Sequence, residues 1–111
     1  MTQDPLWDYY DRATSEALNE HRYTKASRIV KDALHRARQM NELQPTLVRR
    51  ADTLAKIYRE TGDHTSAASL YRLIVELQRS TLGPEHPDVQ LSSRHLLAAL
   101  MDSGCITPGN A

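Results

Sequence analysis

Asp52, Lys56 and Arg59 stand at i, i+4 and i+7, so a helix would carry one carboxylate and two cations on one face. That set recognises charge and hydrogen-bonding groups, and the competing reading is a solvated face whose charges pair among themselves. The histidines at 21, 35, 64, 86 and 95 never fall at a two-ligand helical spacing with carboxylates, and there is no cysteine pair, so no metal is expected. No glycine-rich phosphate loop and no activated nucleophile is present, and Cys105 alone is a weak signal for a reactive thiol. These patterns argue against an enzyme and call for no cofactor. Trp7, Tyr9 and Tyr10 are read as core cover rather than a ligand box.

The elements that would carry these residues are helices. Asp4-Pro5 opens the first, whose apolar positions Leu6, Tyr10, Ala13 and Ala17 recur at three- and four-residue spacing. The second is predicted from about Thr24 to Asn41, burying Ala26, Val30, Ala33, Leu34 and Ala37. Pro45 restarts the chain, and the third helix, with Leu47, Leu54 and Tyr58, ends at Gly62. Thr65 or Ser66 is expected to cap the fourth, which holds Ala67, Leu70, Tyr71, Ile74 and Leu77. The fifth is predicted from Asp88 to Ser103, with Val89, Leu96, Leu97 and Leu100 inside. Short connections make neighbouring helices antiparallel, and no strand pattern competes.

These helices repeat. A shift of 41 lays Ala13 on Leu54, Ala17 on Tyr58, Ala26 on Ala67, Val30 on Tyr71 and Leu34 on Val75. A shift of 42 carries Leu54 onto Leu96, Tyr58 onto Leu100, Gly62 onto Gly104 and Pro45 onto Pro87. Such periods mark an all-α, antiparallel helix-pair solenoid, here five helices or about two and a half repeats. The expected organisation is one domain over 1–104, with repeat one at 5–43, repeat two at 45–86, a capping helix at 87–104, and a flexible tail at 105–111.

The 111 residues suit one modest core, and 14 basic residues balance 14 acidic ones, so no whole-chain pull toward nucleic acid or membrane is implied. The longest uncharged run, Ser103–Ala111, is polar and too short to span a bilayer. The stretch MTQDPLWDYYD is acidic and lacks the pattern of a signal peptide, and a lone cysteine suits a reducing, cytoplasmic setting.

Leu54, Ala55, Tyr58, Gly62, Ala67 and Tyr71 follow the spacing by which the segment Leu54–Val75 resembles the tetratricopeptide repeat. The first repeat is degenerate, with His21 where the glycine falls and Ala17 where the tyrosine falls. The junction Thr81-Leu82-Gly83-Pro84-Glu85-His86-Pro87-Asp88-Val89 resembles the L-G-x-x-H-P-D-V connector of kinesin light chain-type repeats. The resemblance spans roughly residues 6–104 and implies an adaptor or scaffold that binds a partner protein or peptide. In this family the first helix of each pair lines a concave groove. Carried over by position, the groove residues are Asp11, Ser15 and Asn19, then Arg49, Asp52, Lys56 and Arg59, then Arg94 and His95, with Asp8, Leu91, Ala98 and Met101 beside them. The paired asparagines of the kinesin type are Asp52-Thr53 and Arg94-His95 here, so its peptide specificity does not transfer. The carboxylate clamp of chaperone cofactors is also absent, because Asp11, Ser15 and Leu91 occupy its positions.

Two other surfaces follow from the residues. Residues 1–21, 22–59 and 60–111 carry −4, +7 and −3, and Lys25, Arg28, Lys31, His35 and Arg38 would form a basic stripe on the second helix. That stripe offers a nucleic acid or another anionic polymer a place to bind, although it lacks aromatics for stacking; complementarity to the acidic first helix is the plainer reading. The last helix, with Leu96, Leu97, Leu100 and Met101, is apolar for a cap, which suggests a homo-oligomer through that end.

Overall fold

A computed structural model describes residues 5–104 and places five helices in them: α1 (Pro5–Asn19), α2 (Tyr23–Met40), α3 (Pro45–Glu60), α4 (His64–Leu82) and α5 (Pro87–Asp102). No strand occurs among the described residues. The all-α, five-helix reading therefore holds, with ends within two residues of those expected. The expected Asp4 cap and the tail at 105–111 lie outside the described residues.

Helix starts follow local chemistry. Pro45 and Pro87 begin α3 and α5, where a missing N–H costs nothing because that turn has no partner for it. The cap of α4 is neither Thr65 nor Ser66: Asp63 accepts from the Ser66 backbone N–H at 3.1 Å and from its hydroxyl at 2.7 Å. A carboxylate also suits the positive end of the helix dipole, and these bonds hold the Asp63 pKa below its ordinary value. Before α5, His86 Nδ1 accepts from the Asp88 N–H at 3.1 Å, so this nitrogen serves as a cap and not as a cation toward the Asp88 carboxylate.

Three helix ends share one motif. The Arg22 N–H donates to the Ala17 carbonyl and the His21 N–H to Leu18; Glu42 and Asn41 do the same to Ala37 and Arg38, and Asp63 and Gly62 to Tyr58 and Arg59. These are paired six-to-one and five-to-two bonds closed by a left-handed residue. His21 (φ 59°), Asn41 (φ 53°) and Gly62 (φ 90°) occupy that position.

α1–α2 and α3–α4 are antiparallel hairpins; α1 packs on α3, α2 on both α3 and α4, and α5 on α4. Alanines 17, 26, 33, 37, 51, 55 and 67 are almost wholly buried, which lets helices approach closely. Leu34, Leu54, Leu70, Tyr71, Ile74 and Leu77 fill the space between them. Losing Leu54 to alanine there would cost about 2–5 kcal/mol. Trp7 and Tyr10 join this core as expected, whereas Tyr9 is 62% exposed. Leu96 and Leu100 pack against the core, but Leu97, expected inside, is 47% exposed. No helix among the described residues is long and apolar enough to cross a membrane.

Candidate functional site

The gap between α1 and α3 is closed, and the gap between α3 and α5 is open. Trp7, Tyr10 and Thr14 of α1 meet Leu47 and Arg50 of α3, leaving a cavity of about 20 Å³. Trp7 Nε1–H donates to Glu42 at 3.1 Å, Tyr10 donates to Asp32 at 2.6 Å, and Arg50 bridges to Asp11 at 3.0 Å. One repeat further on, Val48 stands for Trp7, Ala51 for Tyr10 and Ser92 for Arg50. Each replacement is smaller, and a groove of about 400 Å³ results.

Its walls are Val48, Arg49, Asp52 and Lys56 from α3, and Asp88, Leu91, Ser92 and His95 from α5. Ile74 and Gln78 of α4 form the floor, and Leu43 and Pro45 close one end. Across the groove α3 and α5 meet through polar side chains: Arg59 donates to Asp102 at 2.8 Å, and His95 Nδ1 lies 3.6 Å from Asp52. Lys56 pairs with Asp52 at 3.1 Å along the same helix face, and that hydrogen bond holds its ammonium pKa above the usual value. The Tyr71 ring meets the edge of His95 from below, with centroids 5.4 Å apart.

The nine residues assigned to the binding face therefore separate. Arg49, Asp52, Lys56 and His95 line one groove. Arg59 is half-buried at a shallow depression shared with Lys56, Glu60 and Asp102. Asp11 is spent on Arg50, Ser15 is half-buried, and Asn19 and Arg94 are exposed; none of these four borders the groove. The basic stripe on α2 is also partly neutralised: Arg38 pairs with Glu76 of α4 at 2.9 Å. Asp11 of α1 pairs with Arg50 on α3, and Glu20, just after α1, lies 3.4 Å from Arg22 at the start of α2.

Sequence reasoning missed the floor. Gln78 belongs to the second helix of its pair, yet it borders the groove, is 6% exposed, and its Oε1 has no hydrogen-bond partner among the described residues. The signal was a polar residue in the stripe Ala67, Tyr71, Ile74, Gln78, at i, i+4, i+7 and i+11.

The tetratricopeptide repeat family model matches residues 47–88, from early α3 through α4 to the start of α5. Residues 47–88 are a repeat of the tetratricopeptide type. No curated protein and no solved structure matches it significantly. Tetratricopeptide repeats generally mediate contacts between proteins and are not catalytic as a class, and the groove lies within and beside the matched repeat.

Proposed function

We propose that this protein is an adaptor that holds a segment of a partner protein in the groove between α3 and α5. The observation that carries this reading is the exchange of Trp7, Tyr10 and Arg50 for Val48, Ala51 and Ser92 at equivalent positions. A groove of about 400 Å³ with apolar walls and a few convergent polar groups has the make-up of a ligand site. The groove is refilled by Val48→Trp, or by Ser92→Arg, which would set a guanidinium beside Asp52 as Arg50 sits beside Asp11. Affinity capture from native cell extract compares the two with the parent chain. Loss of the same captured protein in both variants, with unchanged thermal unfolding, is the expected result; capture that persists in both removes the groove from the function.

The second reading, an anionic polymer on the convex face of α2, draws on Lys25 and Arg28, which are exposed and make no ion pair with any described residue. Under it, Arg28→Ala with Lys31→Ala would abolish capture and salt would weaken binding steeply. Under the adaptor reading that double variant is harmless.

A further inference from the structure

The outward row of α5 departs from the helices it repeats. A shift of 42 lays Leu91, Arg94, Ala98 and Met101 on Arg49, Asp52, Lys56 and Arg59 of α3. A further 41 lays the first three on Asp8, Asp11 and Ser15 of α1. A row that is polar on α1 and charged on α3 is thus apolar at three of its four positions on α5. Leu91 is 52% exposed, and Ala98 and Met101 are half-buried. Leu97, on the flank of this row, is 47% exposed, whereas its counterpart Ala55 on α3 is wholly buried. Apolar side chains aligned over about three turns of one exposed helix face mark a contact surface.

The row is complementary to itself. Positions 91, 94, 98 and 101 are spaced three, four and three apart, the alternation by which two helices share a seam. In an antiparallel copy with residue 96 at the two-fold axis, Leu91 stands opposite the partner's Met101 and Arg94 opposite the partner's Ala98. Apolar then meets apolar, and the longest side chain meets the smallest. Leu97, one residue from the axis, meets the partner's Leu97 on the flank. Arg94 is exposed and makes no ion pair with any described residue. Its guanidinium extends past the partner's Ala98 toward the partner's Asp102, one turn on. Asp102 gives its Oδ2 to Arg59, and its Oδ1 accepts from no described residue. A parallel pairing would instead set Arg94 against the partner's Arg94. A head-to-tail contact fits no better, because α1 exposes Asp8, Arg12 and Glu16 around Tyr9.

We propose that two copies of this chain associate through α5, antiparallel about a two-fold axis at residue 96, with Leu91 against the partner's Met101 and Arg94 across the partner's Ala98. One helix against its copy is a small interface, under about 1,200 Å² in total, so the dimer dissociates at concentrations on the order of micromolar. Leu91 also borders the groove, which brings the partner's Met101 to its rim, but the dimer does not depend on what the groove holds. Sedimentation velocity of the intact chain across the micromolar range should show a monomer in equilibrium with a dimer and nothing larger. Leu97→Glu, at an exposed position, sets two like charges across the axis and should weaken the dimer at least tenfold, with an unchanged circular dichroism spectrum. Arg94→Asp should weaken it as well. In a Cys105→Ser background, oxidation should link Leu97→Cys to itself, and Leu91→Cys to Met101→Cys only when the two are mixed. A chain that stays monomeric throughout, a dimer indifferent to Leu97→Glu, or species that grow beyond a dimer would overturn the proposal. So would Leu91→Cys linking to itself, which is the mark of a parallel pair. A monomeric chain that captures a different protein through Leu97 assigns the face to that protein and overturns the dimer.

Discussion

Gly62 and His21 occupy the same left-handed corner in successive repeats, and exchanging their chemistry tests how the hairpins close. At Gly62 (φ 90°) a Cβ would meet nothing within 4 Å, so Gly62→Ala creates no clash and its cost is purely conformational. Left-handed backbone costs a residue with a Cβ about 1–2 kcal/mol, and the stiffer unfolded chain returns roughly 0.4–1 kcal/mol. The net loss is about 1 kcal/mol, or roughly 4 °C in Tm for a chain of this size. The reverse change behaves differently. His21→Gly relieves a similar strain at φ 59°, but it loosens the unfolded chain and loses the edge contact to Tyr23, whose ring centroid lies 5.9 Å away. With that contact worth about 0.5 kcal/mol, the gains and losses cancel to within roughly 0.5 kcal/mol. Thermal and urea unfolding followed by far-ultraviolet circular dichroism reads both. A Gly62→Ala protein as stable as the parent, or a His21→Gly protein that loses more than Gly62→Ala, would refute the assignment of strain to this corner.

Tyr10 and Tyr71 make a contrasting pair: Tyr10 donates to Asp32, whereas the buried Tyr71 hydroxyl has only the Arg59 guanidinium beside it and makes no well-formed hydrogen bond among the described residues. Tyr10→Phe should cost about 1–2 kcal/mol in urea unfolding, and Tyr71→Phe should change stability by less than about 0.5 kcal/mol. Burial and the bond to Asp32 push the Tyr10 pKa up to about 12, above its unfolded value. Its contribution to stability is therefore complete below the ordinary tyrosine pKa and is lost as pH rises through about 12. Stability measured at stepped alkaline pH should fall over this window, and Tyr10→Phe should flatten the fall. Asp102→Asn should loosen α5 from α3, seen as faster amide exchange across α5. Because Arg59 and Asp102 are 33% and 41% exposed, the global loss should stay under about 1 kcal/mol and vanish in high salt.

The architecture was legible because backbone signals are local. Proline fixes where α3 and α5 begin, glycine or a tolerant residue fixes where hairpins turn, and apolar spacing fixes which face turns inward. The errors fell where two neighbouring residues offer the same chemistry. Asp63, Thr65 and Ser66 can each cap a helix, and the charged oxygen that reaches the Ser66 N–H takes the position. Leu96 and Leu97 are alike in hydropathy, but a helix turns about 100° per residue, and α4 covers only one side of α5.

The groove was legible only in part, because a cavity is a difference between repeats and periodic matching rewards their sameness. Matching A-helix positions gave every repeat an equivalent binding face, and so Asp11 and Asp52 received the same role. The residues between them decide otherwise. Arg50 takes the Asp11 carboxylate and, with Trp7 and Tyr10, seals the first gap; Ser92 is too short to do the same for Asp52, which keeps Lys56 and His95 at its sides. Volume lost at Val48, Ala51 and Ser92 is thus what turns one of two equivalent faces into a groove. In a repeat protein, the position where the pattern shrinks is the first place to look for what the chain holds.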